Sequence, residues 1–67
     1  MELAEKAKIK LEHWIAHNDS HQEDYEKFAL QLDDMGKAES ASHIRDMVEL
    51  ARKSRDCLHK ALRALES

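Results

Sequence analysis

Apolar residues recur at alternating steps of three and four along both halves of the chain. The first half carries a seam at positions 4, 7, 11, 14, 18, 21, 25, 28, 32 and 35, and the second half a seam at 41, 44, 48, 51, 55, 58, 62 and 65. This spacing is typical of helices that pack along one side. Polar residues interrupt the seams near their middles, Asn18 and His21 in the first and Arg55 in the second. The pattern predicts two long amphipathic helices, each with a polar layer halfway along.

The only glycine, Gly36, stands between the two seams, and the chain contains no proline. Glycine suits the left-handed position that follows a helix C-terminus. We therefore expect an all-α fold, an antiparallel helical hairpin with its turn at Gly36. The single helical domain, 1–67, consists of arm 1 at about 2–35 and arm 2 at about 38–66. The start of arm 2 stays open, because Ser40 or Ser42 could cap it and Lys37 could equally begin its first turn.

A break in arm 1 near Asn18–Ser20 gives the alternative fold. Ser20 and Glu23 match a capping box, and asparagine and aspartate favour turns. The result would be a three-helix bundle with a longer last helix. The uninterrupted seam favours the hairpin, in which Asn18 lies level with Arg55.

The size of the chain makes a second source of stability necessary. A core built from 67 residues rarely contributes more than about 3–5 kcal/mol. Cys57 is the only cysteine, so an intrachain disulfide is excluded and a metal or a second subunit remains. Pairing two hairpins into a four-helix bundle would bury both seams, so we expect a homodimer or higher homo-oligomer.

Composition excludes several classes of partner. A net charge of −3 with mixed signs gives no basic patch for nucleic acid. No apolar run approaches the roughly 20 residues of a membrane span. The first residues lack the cationic start and apolar core of a signal peptide, and a lone thiol fits a reducing compartment. These features predict a cytoplasmic protein.

Histidines supply the candidate chemistry. His13, His17 and His21 are spaced by four, one helical turn, and two imidazoles at this spacing form a recurrent metal chelate. His17 and His21 lie along one edge of the seam together with Asp24, and His13 points more outward. From arm 2, His59 lies level with His13. The predicted metal ligands are therefore His17, His21, His13, Asp24 and His59, and such donors suit nickel, zinc, copper, cobalt or iron.

A metal-free interpretation uses the same residues as a buried polar layer. Arg55 would hydrogen-bond Asn18, and His21 would find Asp24 or a carboxylate of a partner, which would set the register of the bundle. Trp14, Tyr25 and Phe28 fall on the seam and are expected in the core. Since no nucleophile–base pair or reaction pocket is indicated, the sequence predicts no enzyme. It predicts a transition-metal-binding protein for storage, delivery or sensing, or else a metal-free helical interaction module.

The run from His13 to His21, with Tyr25 and Phe28 after it, resembles the H-W-x-x-H-N-x-x-H signature of a group of small helical prokaryotic proteins of uncharacterised function. The likeness covers the middle of arm 1 closely and arm 2 only in composition. The resemblance implies a cytoplasmic prokaryotic helical protein with a tie to transition-metal handling. It supplies no activity, and its implied roles extend only to His13, His17 and His21.

Overall fold

Two helices packed against each other make up the structure. The computed structural model describes residues 2–66, in which α1 spans Leu3–Asp34 and α2 spans Ala38–Glu66. The antiparallel pair measures 51 × 17 × 10 Å. The predicted all-α hairpin is confirmed, and the three-helix alternative is wrong because α1 runs unbroken through Asn18–Ser20. The outermost residues of the predicted domain, Met1 and Ser67, lie outside the described residues.

The turn at Gly36 is built from backbone hydrogen bonds that close the end of α1. The Lys37 N–H donates to the Leu32 carbonyl over 2.8 Å, and the Gly36 N–H donates to the Asp33 carbonyl over 2.9 Å. This pair of bonds is a Schellman motif, which requires a left-handed residue after the helix. Gly36 meets the requirement with φ +75°. The chain then re-enters a helix at Ala38, so Lys37 rather than Ser40 or Ser42 precedes the first turn.

The seam of α2 faces α1 as expected. Ala41, Val48 and Ala51 are buried, and Arg55 is the one position of this seam that is exposed. The buried residues are small, which allows the two backbones to approach closely. The rest of the seam is half-buried and consists of Ile44, Leu58, Leu62 and Leu65.

From Trp14 onward, every second position of the α1 seam is exposed rather than buried. Within the hairpin Trp14 and Phe28 are not core residues, since 50% and 48% of their surface is exposed. Ile15 and Ala29, the next residues along, point at α2 instead. The reason is that α2 presents alanine and valine at close range, which leaves room for Ala29 but none for an aromatic ring. Two helices also share only one narrow contact, so a wide apolar stripe is only partly covered.

The same displacement affects other members of the predicted seam. His21 and Met35 are exposed, while Tyr25 is half-buried at the edge of the contact. Neither helix contains an apolar stretch of the length needed to cross a bilayer, as judged over the described residues.

Candidate functional site

One broad face of the hairpin is covered by ion pairs between the helices. We call it the ionic face. Arg55 Nε donates to Asp19 Oδ1 over 2.8 Å, and Arg52 lies 3.6 Å from Glu26. At the two ends of the hairpin this face also carries the pairs Asp33–Arg45 and Lys8–Glu66. Since each residue advances by about 100° around a helix, these positions of both helices point to the same side.

Of these pairs, Asp33–Arg45 has the clearest electrostatic signature. The hydrogen bond that Arg45 donates holds the pKa of Asp33 below its ordinary value, against a smaller opposing effect of desolvation. The same bond raises the pKa of Arg45. Both groups are at the surface, where such pairs are screened by solvent. The pair links the last turn of α1 to the second turn of α2 on the ionic face.

The opposite broad face is apolar. We call it the apolar face and define it by Trp14 and Phe28 from α1 and Met47 and Leu50 from α2. Met47 is 37% exposed and Leu50 is 61% exposed. A shallow groove runs between the helices here, lined by Asn18, Tyr25, Met47, Leu50, Ala51 and Ser54. A hairpin with one face crossed by ion pairs and one face rich in exposed apolar side chains resembles half of a bundle, although Leu30 is also exposed on the ionic side.

Asn18 lies at the bottom of this groove and is half-buried. Its Nδ2 donates to the Ala51 carbonyl over 2.9 Å. The expected hydrogen bond between Asn18 and Arg55 is therefore wrong, because Arg55 pairs with Asp19 instead. Arg55 does lie at the same height along the hairpin as Asn18, but it meets a different side of α1. Asp19 is about 100° further round the helix than Asn18 and so reaches the ionic face. The polar layer is split between the two faces.

Histidine rings form a ladder along the side of α1 next to the apolar face. We call it the aromatic ladder; it consists of His13, His17, His21 and Tyr25. The His17 and His21 rings stack with centroids 4.4 Å apart and planes 26° apart. The outer steps are longer, 6.0 Å from His13 to His17 and 5.9 Å from His21 to Tyr25. The expected i,i+4 neighbours thus come together, and His17–His21 is the closest pair.

The other sequence-predicted ligands do not join that pair within one chain. Asp24 is exposed, on the outer side of α1 beyond His21. His59 is half-buried at the edge of the helix contact that lies towards the ionic face, and its Nε2 is buried with no hydrogen-bond partner among the described residues. Among residues 2–66 no three His, Cys, Asp or Glu side chains are grouped so that they could hold a metal ion. Within the single hairpin the contact between the helices separates His59 from the His17–His21 pair, and its role as a ligand stays a prediction.

Cys57 is exposed, as its position outside the seam predicts. The sequence reasoning missed Leu50 as a surface residue of functional interest. The signal was present: Met47 and Leu50 are three residues apart and flank the α2 seam on one side, which widens its apolar stripe.

The geometry defines a class, small two-helix hairpins with one apolar face and a histidine ladder beside it. The chain belongs to a family whose model, described as Domain of unknown function (DUF8180), matches residues 7–65. That range includes most of both helices, the aromatic ladder and the apolar face. Comparison with curated proteins gave no match, and comparison with solved structures gave none.

Proposed function

We propose that this protein is a self-associating helical module whose apolar face packs against a second copy to form a four-helix bundle. The observation that carries the proposal is the contrast between the two broad faces. The ionic face carries ion pairs between the helices, and the apolar face exposes Trp14, Phe28, Met47 and Leu50. Exposed apolar patches of this kind usually mark interaction sites.

The weakness of the internal core supports this proposal. The buried hydrophobic residues are Ala29, Ala41, Val48 and Ala51, and no large side chain among the described residues is fully buried. Full burial of one Leu, Phe or Met side chain contributes about 1.5–3 kcal/mol. The hairpin by itself obtains little of this, whereas a second copy on the apolar face would bury several such side chains at once.

The dimensions of the face suit a second copy. The hairpin is 51 Å long and 17 Å wide, and a stable interface of standard size buries about 800 Å² on each partner. A two-fold dimer uses the same patch on both copies, so apolar residues meet apolar residues. The ionic faces then remain on the outside, in water.

Sedimentation of matched variants tests the proposal. Leu50 on the apolar face and Leu30 on the ionic side are both 61% exposed. Leu50→Glu should convert a dimer into a monomer or raise its dissociation constant by about 20- to 500-fold, from the lost further burial of two partly exposed leucines, one on each copy. Leu30→Glu, the control, should leave the mass in solution at twice that of one chain. A monomeric wild type, or equal effects of the two variants, would refute the proposal.

A second candidate function is the binding of a transition metal ion, and the stacked His17–His21 pair favours it. Two nitrogens that share one zinc ion lie about 2.0–2.1 Å from it, and the i,i+4 spacing brings the two rings close enough, 4.4 Å between centroids, for one ion to be reached by both once the rings turn out of their stack. Both side chains are exposed, and each is free to rotate its ring so that the nitrogens converge. His13 and Asp24 are the next donors along the same side, and the remaining positions fall to water or a second chain.

Equilibrium dialysis against zinc, nickel, cobalt and copper tests this candidate. His17→Ala with His21→Ala should abolish binding, since a single imidazole is a weak ligand. His13→Ala should reduce the affinity less, because its ring is further away. His43→Ala, an exposed histidine of α2 far from the ladder, is the control and should bind as the wild type does. Unchanged stoichiometry and affinity in the double variant would rule the assignment out.

Both candidates describe a binding and assembly role rather than catalysis. A chelator separates them. If the module assembles without metal, its midpoint of thermal unfolding should be the same with and without chelator. If metal is part of the fold, addition of the ion should raise the midpoint, because a ligand that binds only the folded state stabilises it.

A further inference from the structure

We infer that metal binding and self-association exclude each other, because a divalent transition metal ion on the His17–His21 pair occupies the part of the apolar face that a second copy must cover. The inference rests on the proposed self-association and on the candidate metal binding. It adds their regulation: the metal ion releases the protein from its dimer, and formation of the dimer lowers the affinity for the ion.

His21 lies between the two aromatic rings of the apolar face. Trp14 precedes it by seven residues and Phe28 follows it by seven. Seven residues are about 20° short of two full turns, so the three side chains leave α1 on nearly the same side, at steps of about 10 Å along the helix. Trp14 is 50% exposed, Phe28 is 48% exposed, and His21 is exposed as well. A second copy that covers both aromatic rings therefore also covers His21.

An ion held by both histidines would lie on the same line. His17 precedes His21 by one turn, and the two rings are stacked with their centroids 4.4 Å apart. The midpoint of the pair lies about 8 Å beyond Trp14 and about 14 Å before Phe28 along the helix. The chelated ion would thus lie between the two aromatic rings, within the surface that the second copy covers.

Such an ion is poorly suited to a covered position. The pair provides two of the four ligands that zinc usually takes, and in a single chain water is the readiest source of the others. No carboxylate, imidazole or thiolate occurs among the side chains that define the apolar face, which are Trp14, Phe28, Met47 and Leu50. To cover the ion is therefore to strip its waters or to bury a hydrated divalent charge, and both are costly.

A second copy makes this cost larger. At saturating metal its own His17–His21 pair holds its own ion, so two divalent charges enter one interface, and like charges repel. The metal-free pair brings neither the charge nor the waters. The dimer therefore forms from metal-free chains, and the metal-loaded chain is monomeric.

Sedimentation equilibrium with and without zinc chloride tests the coupling. At free zinc ten times its own dissociation constant, a site is about 90% occupied. If the dimer excludes the ion from both chains, its dissociation constant should rise about 100-fold, about tenfold for each chain. His17→Ala breaks the chelate and leaves His21 in place, so zinc should no longer change the dissociation constant of the dimer. His43→Ala, at an exposed position of α2, is the control and should respond to zinc as the wild type does.

The same coupling must appear in the affinity for zinc, since linkage between two binding events is reciprocal. In the wild type, zinc should bind more weakly as the protein concentration is raised through the dissociation constant of the dimer. In Leu50→Glu, which is expected to be monomeric, the affinity should not depend on protein concentration. Equilibrium dialysis at a series of protein concentrations measures both.

Each failure has its own pattern. A wild type that is monomeric without zinc overturns the self-association and the inference with it. A dimer that binds no zinc, or binds it equally well after His17→Ala with His21→Ala, overturns the metal assignment and the inference, and leaves the self-association standing. A dimer that binds zinc through this pair and keeps or tightens its dissociation constant overturns the inference alone, and tightening would indicate that the second copy supplies ligands.

Discussion

The hydrogen bond from Asn18 to the Ala51 carbonyl offers a quantitative test of the helix contact. Asn18→Ala removes this single 2.9 Å bond, which contributes about 1 kcal/mol net. The substitution also puts a better helix former into the middle of α1, worth roughly 0.5 kcal/mol in the opposite direction. We therefore expect a net loss of about 0.5 kcal/mol in the free energy of unfolding.

Ser20→Ala is the matched control. Ser20 is exposed two residues further along α1, so its replacement should give the helix-propensity gain alone, roughly 0.5 kcal/mol. The two variants should thus differ by about 1 kcal/mol, which corresponds to about 4–8 °C in the unfolding midpoint of a small domain. Urea and thermal unfolding, followed by circular dichroism at one fixed protein concentration, measure the difference. Equal gains in both variants would show that the amide contributes nothing.

A double-mutant cycle then identifies the partner of Asn18. The side chains of Asn18 and Arg55 share no partner, since Arg55 binds Asp19. The effects of Asn18→Ala and Arg55→Ala should therefore add to within about 0.5 kcal/mol. A larger coupling energy would mean that Asn18 and Arg55 interact directly, as their matching positions in the two seams predict. It would refute the separate hydrogen bonds of Asn18 to Ala51 and of Arg55 to Asp19.

Three further perturbations test other parts of the fold. Gly36→Ala should lower the free energy of unfolding by about 1–2 kcal/mol, since an added Cβ meets nothing within 4 Å and only the positive φ opposes it. Gly36→Asn should lower it less. Equal unfolding midpoints for both variants and the wild type would contradict this. Asp33 has a pKa held low by Arg45, so its stabilising effect is present above its ordinary pKa and is lost as the pH falls through its lowered one. The stability difference between the wild type and Asp33→Asn should accordingly be present at neutral pH, begin to fall near the ordinary carboxyl pKa of about 4 and vanish only once the pH is below the lowered pKa of Asp33; a pH-independent difference in urea midpoints would argue against the pair. Ala51→Leu, at a position 7% exposed, should destabilise by about 1–3 kcal/mol through overpacking, whereas Ala16→Leu, at an exposed position on the outer side of α1, should leave thermal unfolding nearly unchanged.

Local signals account for the parts of the fold that the sequence predicts well. The alternation of three- and four-residue steps and the lack of proline predict both helices, and Gly36 predicts the turn. Each of these depends on residues near one another in the chain. The break considered at Asn18–Ser20 was also a local signal, but capping residues in the middle of a long seam do not end a helix that packs along its whole length.

The predicted ligands of the candidate site also divide into those placed by local spacing and those placed by helix packing. The i,i+4 spacing predicts the neighbourhood of His17 and His21, because one helix fixes it. The position of His59 depends on how α2 is rotated about its own axis. Matching residue numbers across the turn gives only its height along the hairpin, not this rotation. The binding of a metal and the pairing of two copies stay predictions for the experiments described above.

The sequence by itself determines the two helices, the place where they reverse and the order of side chains around each helix, since these follow from backbone geometry and nearby residues. The tertiary structure alone decides which of two adjacent residues enters the helix contact. At positions 14 and 15, and again at 28 and 29, both neighbours are apolar, and the choice falls to Ile15 and Ala29 because the small residues of α2 draw the backbones together. That rotation turns Trp14 and Phe28 outward and collects the ion pairs on the other side, so the apolar face is a consequence of packing between helices that neither helix specifies alone.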